Sequence, residues 1–343
     1  MSRIKDIKFI LREYKFKKPF CIAHSSALET ENIEIQLITE NGIVGYGESA
    51  PSFRINGETP EMVMSLESKV REMILDKDVR HYREIFNITD TLISSPSLRA
   101  GVQFSVIDAF CKECGIEVWE FFGGAKNEIE TDRTVSVRPM KERIEEAIEI
   151  YKEGFRVIKI KVGENLNEDV EAICEIYRLT RGCRYIVDAN ENYNPKEAVH
   201  LAKRLYSGGI DISVFEQPVN RYNIEGLRYV RFNSPFPVCA DESVRSRYDA
   251  LRLIKEEAID MINIKLMKSG ISDAISIAEL AKSVNIRLMI GCVSESSIGI
   301  NQSVQFACGM GCFDFCDLDS HLMLDESEYR GEFKQIGSKM KVG

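Results

Sequence analysis

A chain of 343 residues, 44% apolar and 29% charged, is long enough for one large domain or two with a sizeable core, and its composition is that of an ordinary globular protein. Its net charge of −9, with no basic stripe, argues against nucleic acid and anionic membrane surfaces as partners. No apolar run approaches a membrane span, and the N-terminal MSRIKDIKFILREYKF, charged every few residues, has no signal-peptide core, so the cytoplasm is the expected compartment.

Residues 1–48 read as antiparallel strands. NIEIQLIT (32–39), Asn41-Gly42 and IVGYGE (43–48) give a hairpin signal, because Asn-Gly tolerates the positive φ angles of a tight turn. Residues 60–75 and 98–113 read as helices, the second with Val102, Phe104, Val106, Ile107, Phe110 and Cys111 on a broad apolar face. Strands followed by helices imply an α+β unit over the first third of the chain. Among ten cysteines, Cys111 and Cys114 form a CxxC inside the helical pattern, and Cys308, Cys312 and Cys316 follow at four-residue steps. Neither spacing is that of a zinc or iron–sulfur signature, so they read as small buried apolar residues in a reducing compartment.

From about residue 131 strands and helices alternate. TDRTVSV is a strand, and KERIEEAIEIYKEG is a helix with Ile144, Ala147, Ile148 and Tyr151 inward, stopped by Gly154. VIKIKV (157–162) is a strand; 166–181 is a helix with Val170, Ile173, Cys174 and Tyr177 inward. YIVDAN is a strand, and Asn194-Pro195 caps the next helix. ISVFEQP, FPVCADES, MINIKLM, IRLMIGC and CFDFCDLD complete eight strand candidates. The polar residues near their C-terminal ends are Thr134, Lys161, Asp188, Glu216, Asp241, Lys265, Ser294 and Asp317, at steps of 27, 27, 28, 25, 24, 29 and 23. One strand, one helix and two short loops take about this much chain. Eight such units predict a (β/α)8-type barrel with its catalytic groups at the strands' C-terminal ends. An open doubly wound sheet is the alternative, and it would gather its site at one switch point.

Asp188, Glu216 and Asp241 then end the third, fourth and fifth barrel strands. Three carboxylates in one confined mouth repel one another, and a hard divalent cation such as Mg2+ removes that conflict while leaving positions for substrate oxygens. The competing reading has each carboxylate capping a helix or pairing with a base. Lys161 and Lys265 fall on the second and sixth strands, across the diameter of an eight-stranded barrel. That arrangement can move a proton from one face of a carbon to the other, a neutral lysine taking it and a lysinium opposite returning one. Lys159 shares a strand face with Lys161, while Ile158, Ile160 and Val162 face the other way. Lys159 is expected to supply positive charge beside Lys161. Lys268, an odd step from Lys265, should face away into the following loop. Asp317 and Asp319 are same-face neighbours whose pairing suits a substrate ammonium group.

These motifs, KIK (159–161), DAN (188–190), EQP (216–218), DES (241–243), NIKLMKSG (263–270) and DLDS (317–320), resemble those of the enolase superfamily, in its muconate-lactonizing-enzyme subgroup, and within it the dipeptide epimerases. GYGESAP (45–51) and VIDAFCKECGIEVWEFFGG (106–124) resemble that subgroup's N-terminal region, so the likeness spans essentially the whole chain. The resemblance implies a modified TIM barrel, (β/α)7β, over residues 126–320. It implies an N-terminal α+β capping domain over residues 1–125, completed by about 321–343. It implies Mg2+ on Asp188, Glu216 and Asp241, with Lys161 serving the D-configured and Lys265 the L-configured α-carbon. Lys159 is expected near the substrate carboxylate, and Asp317 and Asp319 on the dipeptide ammonium. Thr134, Cys292 and Ser294 are expected to line the pocket.

The resemblance breaks at one point. Members acting on L-Ala-D/L-Glu carry an arginine in the capping loop, and CIAHSSALETEN (21–32) has none, with His24 and Ser25 there instead. Phe53 and Ile55 in SFRING (52–57) favour a hydrophobic or aromatic second residue, with Arg54 a cation of unassigned direction. The expected partner is a small dipeptide, in a protein that can form a homo-oligomer. Three alternatives remain: a cycloisomerase or o-succinylbenzoate synthase of the same subgroup, a non-catalytic metal-dependent peptide binder, and an iron–sulfur barrel enzyme using Cys308, Cys312 and Cys316.

Overall fold

The structure, a computed structural model, describes residues 2–22 and 25–343. Strands β1 (Ile4–Ile22), β2 (Ser25–Thr39) and β3 (Val44–Ser49) form an antiparallel meander. The expected hairpin is present: β2 pairs with β3 from Ile38 opposite Val44 to Ile33 opposite Ser49, with Gly42 at φ 81° in the turn. Alternation sends Ile33, Ile35 and Leu37 into the core. Over the sheet lies helix α1 (Pro96–Cys114), capped by Ser95, started by Pro96 and ended by Gly115 in the left-handed region. Helix and sheet meet so closely at Gly47 and Gly101 that a Cβ on Gly47 would collide with the Gly101 carbonyl.

The other side of α1 meets the barrel. Gln103 Oε1 accepts the N–H groups of Ile271 at 2.8 Å and Ser272 at 3.2 Å, satisfying the first turn of the barrel helix Ile271–Ser283. The helix expected over 60–75 is two shorter ones, Pro60–Met64 and Glu67–Ile74. A further helix, Tyr82–Leu92, escaped the sequence reading because its inner face of Ile85, Phe86 and Thr89 includes a polar residue. Thr89 is buried at no loss, its hydroxyl donating to the Phe86 carbonyl and accepting from Gln103.

Among the described residues eight parallel strands follow: β4 (Arg133–Val135), β5 (Val157–Lys161), β6 (Arg184–Asp188), β7 (Val214–Glu216), β8 (Val238–Ala240), β9 (Met261–Ile264), β10 (Arg287–Gly291) and β11 (Phe315–Asp317). Each pairs with its sequence neighbour, and a parallel bridge from Thr131 to Cys316 closes the circle. Helices separate the strands, and only the four-residue turn Ser320–Met323 follows β11, so the barrel is (β/α)7β. Val157, Ile186, Val214, Cys239, Met261, Met289 and Phe315 pack as one layer inside it. Two residues further along each strand stand Lys159, Asp188, Glu216, Asp241, Asn263, Gly291 and Asp317, so the next layer is polar. The tail then crosses back: Leu324–Asp325 pairs with β1, and Lys334–Ile336 and Lys339–Lys341 join Glu128–Glu130. Among the described residues no helix is long and apolar enough to cross a membrane.

The helix Met140–Lys152 turns a different face inward from the one expected. Arg143, Ala147 and Ile150 are buried, while Ile144, Ile148 and Tyr151 are half-buried. The apolar stripe misled because Arg143 finds a buried partner in Asp169.

Glu48 joins the meander to the barrel. Its Oε1 accepts from Ser296 N–H at 2.9 Å and Asn32 Nδ2 at 3.2 Å, and its own N–H donates to Gln302 Oε1 at 2.6 Å. Burial, reinforced by Glu295 against the Ser296 hydrogen bond, pushes its pKa from 4.5 up to about 8. The folded chain therefore holds a proton that the unfolded chain loses, so this group's stabilisation is complete below about pH 4.5 and lost as pH rises through about 8. Glu48→Gln stays neutral throughout. Between about pH 5 and about pH 9 denaturant unfolding should show the wild type losing at least about 1 kcal/mol more than this variant. Parallel losses would remove Glu48 as the titrating group.

Candidate active site

A cavity of about 480 Å³ opens between the C-terminal ends of the barrel strands and the meander, a size common for small-molecule sites. Lys161, Lys265, Thr134, Cys292, Ser294, Asp317 and Asp319 line it, all anticipated from the sequence. Lys159, Asp188, Glu216 and Asp241 are not in its wall. They are fully buried in the polar layer described above.

That layer is an ion-pair network. Lys159 Nζ lies 2.7 Å from Asp317 Oδ2, 2.8 Å from Glu216 Oε2 and 3.1 Å from Asp188 Oδ2. Lys161 Nζ is 2.6 Å from Asp188 Oδ2, and Lys265 Nζ is 2.8 Å from Asp241 Oδ2. Both KIK lysines thus point into the barrel, on the face that carries Val157. Room for Lys265 depends on Gly291, where a Cβ would lie 3.0 Å from Lys265 Cε and 2.8 Å from the Asn263 amide.

Burial opposes ionisation of these carboxylates, and the lysines decide the outcome. Lys161 and then Lys159 pull Asp188 below its usual range despite its burial. Lys265 and Lys268 do the same for Asp241. Glu216 has only the shared Lys159 and the Asn263 amide at 2.7 Å, so burial and Asp188 push it up to about 7. Its Oε2 has the Lys159 ammonium at 2.8 Å and no second donor. Burial alone would lower the pKa of Lys159, but Asp317, Glu216 and Asp188 outweigh it and hold the ammonium well above the usual lysine value. Lys265 is raised likewise, Asp241 overcoming its burial.

Three hard oxygen donors at the ends of adjacent strands, Asp188, Glu216 and Asp241, fit a divalent cation. The residues around them set their directions. The Asn190 N–H donates to Asp188 Oδ1 at 2.9 Å, and Gln217 Oε1 accepts from Asp241 N–H at 2.9 Å. Asn190 and Gln217 hold positive φ angles of 41° and 33°, which is the backbone cost of these contacts.

Lys268 corrects the sequence reading. It does not face away: its Nζ is buried against Asp241 Oδ1 at 2.6 Å, the Asn263 carbonyl at 3.0 Å and the Asp241 carbonyl. β9 stops at Ile264 and Leu266–Ser269 is a helical turn, so strand parity ends and positions three apart share a face. Asp132 was also missed. It is wholly buried, neither carboxylate oxygen has a hydrogen bond, and burial with Asp317 and Asp319 keeps its pKa well above the usual range. Its two-residue step from Thr134, within the stretch TDRTVSV read as a strand, was the available signal.

Asp319 Oδ2 accepts the Thr134 N–H at 2.7 Å, and burial with Asp317 pushes its pKa up to about 6. The side-chain ligand atoms of Cys292, Asp317 and Asp319 lie within 4.8 Å of one another. Cys308 and Cys316 are buried and Cys312 half-buried, and their sulfurs do not converge on one another in this way. The remaining wall mixes apolar side chains, Phe16 and Phe20 stacked at 5.6 Å beside Phe53, Ile55, Val293 and Met323, with the polar Glu29, Thr30, Ser52 and Asn190. Arg54 Nη2 is 2.8 Å from Glu242 Oε1 and its Nη1 is 3.5 Å from Glu191 Oε2, so this cation is already paired. His24 and the side chain of Ser25 lie outside the described residues.

The sequence profile of enolase C-terminal domain-like proteins fits residues 142–342. An L-Ala-D/L-Glu epimerase of Thermotoga maritima is 56% identical over 342 residues, covering 100% of this chain and 99% of its own. The substrate-liganded L-Ala-D/L-Glu epimerase of Bacillus subtilis superposes with a TM-score of 0.97 at 30% identity, covering 99% of this chain and 96% of that one. A dipeptide epimerase from Enterococcus faecalis V583, complexed with Mg and L-Leu-L-Tyr, superposes with a TM-score of 0.95 at 29% identity, covering 99% and 97%. The chain belongs to the enolase superfamily, in its muconate-lactonizing-enzyme subgroup, where its sequence falls among the dipeptide epimerases.

Proposed function

We propose that this enzyme is a Mg2+-dependent dipeptide epimerase that inverts the α-carbon of the C-terminal residue of L-Ala-L-Xaa dipeptides, with hydrophobic or aromatic Xaa favoured over glutamate. The carrying observation is that Lys161 and Lys265 enter one cavity from the second and sixth barrel strands, each leaning on a different carboxylate. In this reading one lysine Nζ, uncharged, takes the α-proton, and the other, as ammonium, delivers one to the opposite face. Lys161 serves the D-configured carbon and Lys265 the L-configured one. Asp317 and Asp319 bind the dipeptide ammonium beside Thr134, and Cys292 and Ser294 complete the wall. Asp188, Glu216 and Asp241 would hold the cation. It would supply positive charge for the substrate carboxylate and compete with both lysines for Asp188 and Asp241, which makes an uncharged amine less costly. Lys159 stays protonated and holds Asp188, Glu216 and Asp317 together beneath the cavity. Residues 1–125, with the return segment from about 321, act as the cap that excludes water over a barrel at 126–320; the pairing of Leu324–Asp325 with β1 supports this division.

The name of the Thermotoga relative points to glutamate, whereas the aromatic and aliphatic part of the wall, and the Glu29 carboxylate in it, point the other way. Among the described lining residues the cations are Lys161, Lys265 and Arg54, and all three already face carboxylates. A glutamate side chain would enter without a free counter-ion. The kcat/KM for L-Ala-L-Phe is expected to exceed that for L-Ala-L-Glu by at least about tenfold. Equal values, or a preference for glutamate, would overturn the specificity. Absence of α-proton exchange with every L-Ala-L-Xaa dipeptide in D2O would overturn the activity.

A further inference from the structure

Behind Lys161, outside the barrel wall, three polar side chains converge with almost no contact with solvent. Arg143 is 2% exposed, Asp169 1% and Tyr193 7%. Arg143 comes from the helix before β5, Asp169 from the first turn of helix Leu166–Leu179 after it, and Tyr193 from the loop that follows Asp188.

We propose that Arg143, Asp169 and Tyr193 are positioning residues that fix the direction from which Lys161, and not Lys265, meets the substrate α-carbon. The inference rests on the activity proposed above. One arm of the Arg143 guanidinium, Nη2, donates to the Lys161 carbonyl at 3.1 Å, and the other, Nη1, donates to Asp169 Oδ1 at 2.9 Å. Asp169 Oδ2 accepts the Gly163 N–H at 2.9 Å and the Tyr193 hydroxyl at 2.7 Å. The pair therefore grips the backbone on both sides of Val162, where the chain leaves the sheet. Gly163 has φ 124°, which glycine adopts without strain, so its freedom permits this turn and the contacts on either side select it. A buried ion pair gives little net stability over well-packed apolar groups, so what this one contributes is geometry. Lys265 has no counterpart. Its carbonyl accepts from Lys268 N–H at 2.9 Å and Ser269 Oγ at 3.4 Å, within its own helical turn.

The asymmetry supplies the test. Arg143→Lys keeps the charge and loses the planar fork that reaches both partners. In D2O, α-proton exchange is followed separately from L-Ala-D-Phe and L-Ala-L-Phe. The variant should lose on the order of tenfold to a hundredfold in kcat for exchange from the D epimer. KM, and exchange from the L epimer, should each change by less than about threefold. Tyr193→Phe should shift the same ratio in the same direction by a smaller factor, and it stands in if Arg143→Lys does not fold. Equal losses from both epimers would make the unit merely structural and overturn the proposal, as would an unchanged D-epimer kcat. Wild-type enzyme that exchanges neither epimer would instead overturn the activity on which the proposal rests.

Discussion

Lys265→Ala is expected to lower epimerisation by at least about 10³-fold, while the D-configured dipeptide still exchanges its α-proton with solvent. On the proposed assignment each lysine works one face of the carbon, so inversion needs both and exchange at one face needs only one. Lys161→Ala should give the mirror result, with exchange surviving from the L epimer alone. Neither substitution strands a buried carboxylate. Without Lys265, Asp241 keeps Lys268 at 2.6 Å, and without Lys161, Asp188 keeps Lys159 at 3.1 Å and the Asn190 N–H at 2.9 Å. Thermal unfolding should therefore move little while catalysis collapses, which separates a chemical role from a structural one. Mass spectrometry of dipeptides incubated in D2O reads both outcomes. Loss of exchange from both epimers in either variant would sink the two-face assignment, and intact turnover would favour a binding protein with no chemistry.

What the sequence made legible was whatever obeys a fixed period. Strand parity alone put Lys159 with Lys161, and Asp317 with Asp319, on one face, and in the structure those residues meet in one network or line one cavity. The spacing of polar residues along the second half counted eight strands before any pairing was known, because a strand and its return helix need a nearly constant length of chain. Readings failed where a period ended or a polar group replaced an apolar one. Lys268 fell on the wrong side because the chain switches from strand to helical turn immediately after Lys265. Arg143 and Thr89 were hidden because a buried polar residue looks exposed until its partner, distant in sequence, is known. Asn263 and Gln217, which orient Glu216 and Asp241, carry no periodic signal at all. Their partners come from other strands, and only closure of the barrel brings them together.

The misread Lys268 leads to the second large effect, one of stability. Its ammonium is enclosed, burial pulling its pKa below the usual lysine value even against Asp241. Lys268→Met keeps the aliphatic volume and removes the charge. Asp241 Oδ1 then loses its partner, and Oδ2 retains only Lys265. Unlike Lys265, Lys268 also donates to the Asp241 and Asn263 carbonyls, so its removal takes the donor from three buried acceptors at once and should cost about 3–5 kcal/mol. Denaturant unfolding in EDTA should show about that loss against wild type. The same carboxylate is a proposed cation ligand, and a ligand that binds only the folded chain stabilises it by about 2.7 kcal/mol at a hundredfold excess over its dissociation constant. In the wild type Mg2+ must compete with Lys265 and Lys268 for Asp241; in the variant it competes with Lys265 alone. Mg2+ should therefore raise the unfolding midpoint of Lys268→Met more than that of the wild type, closing part of the gap seen in EDTA. An equal gap with and without Mg2+ would mean that the metal does not engage Asp241, and no gap in EDTA would mean that Lys268 does not support it.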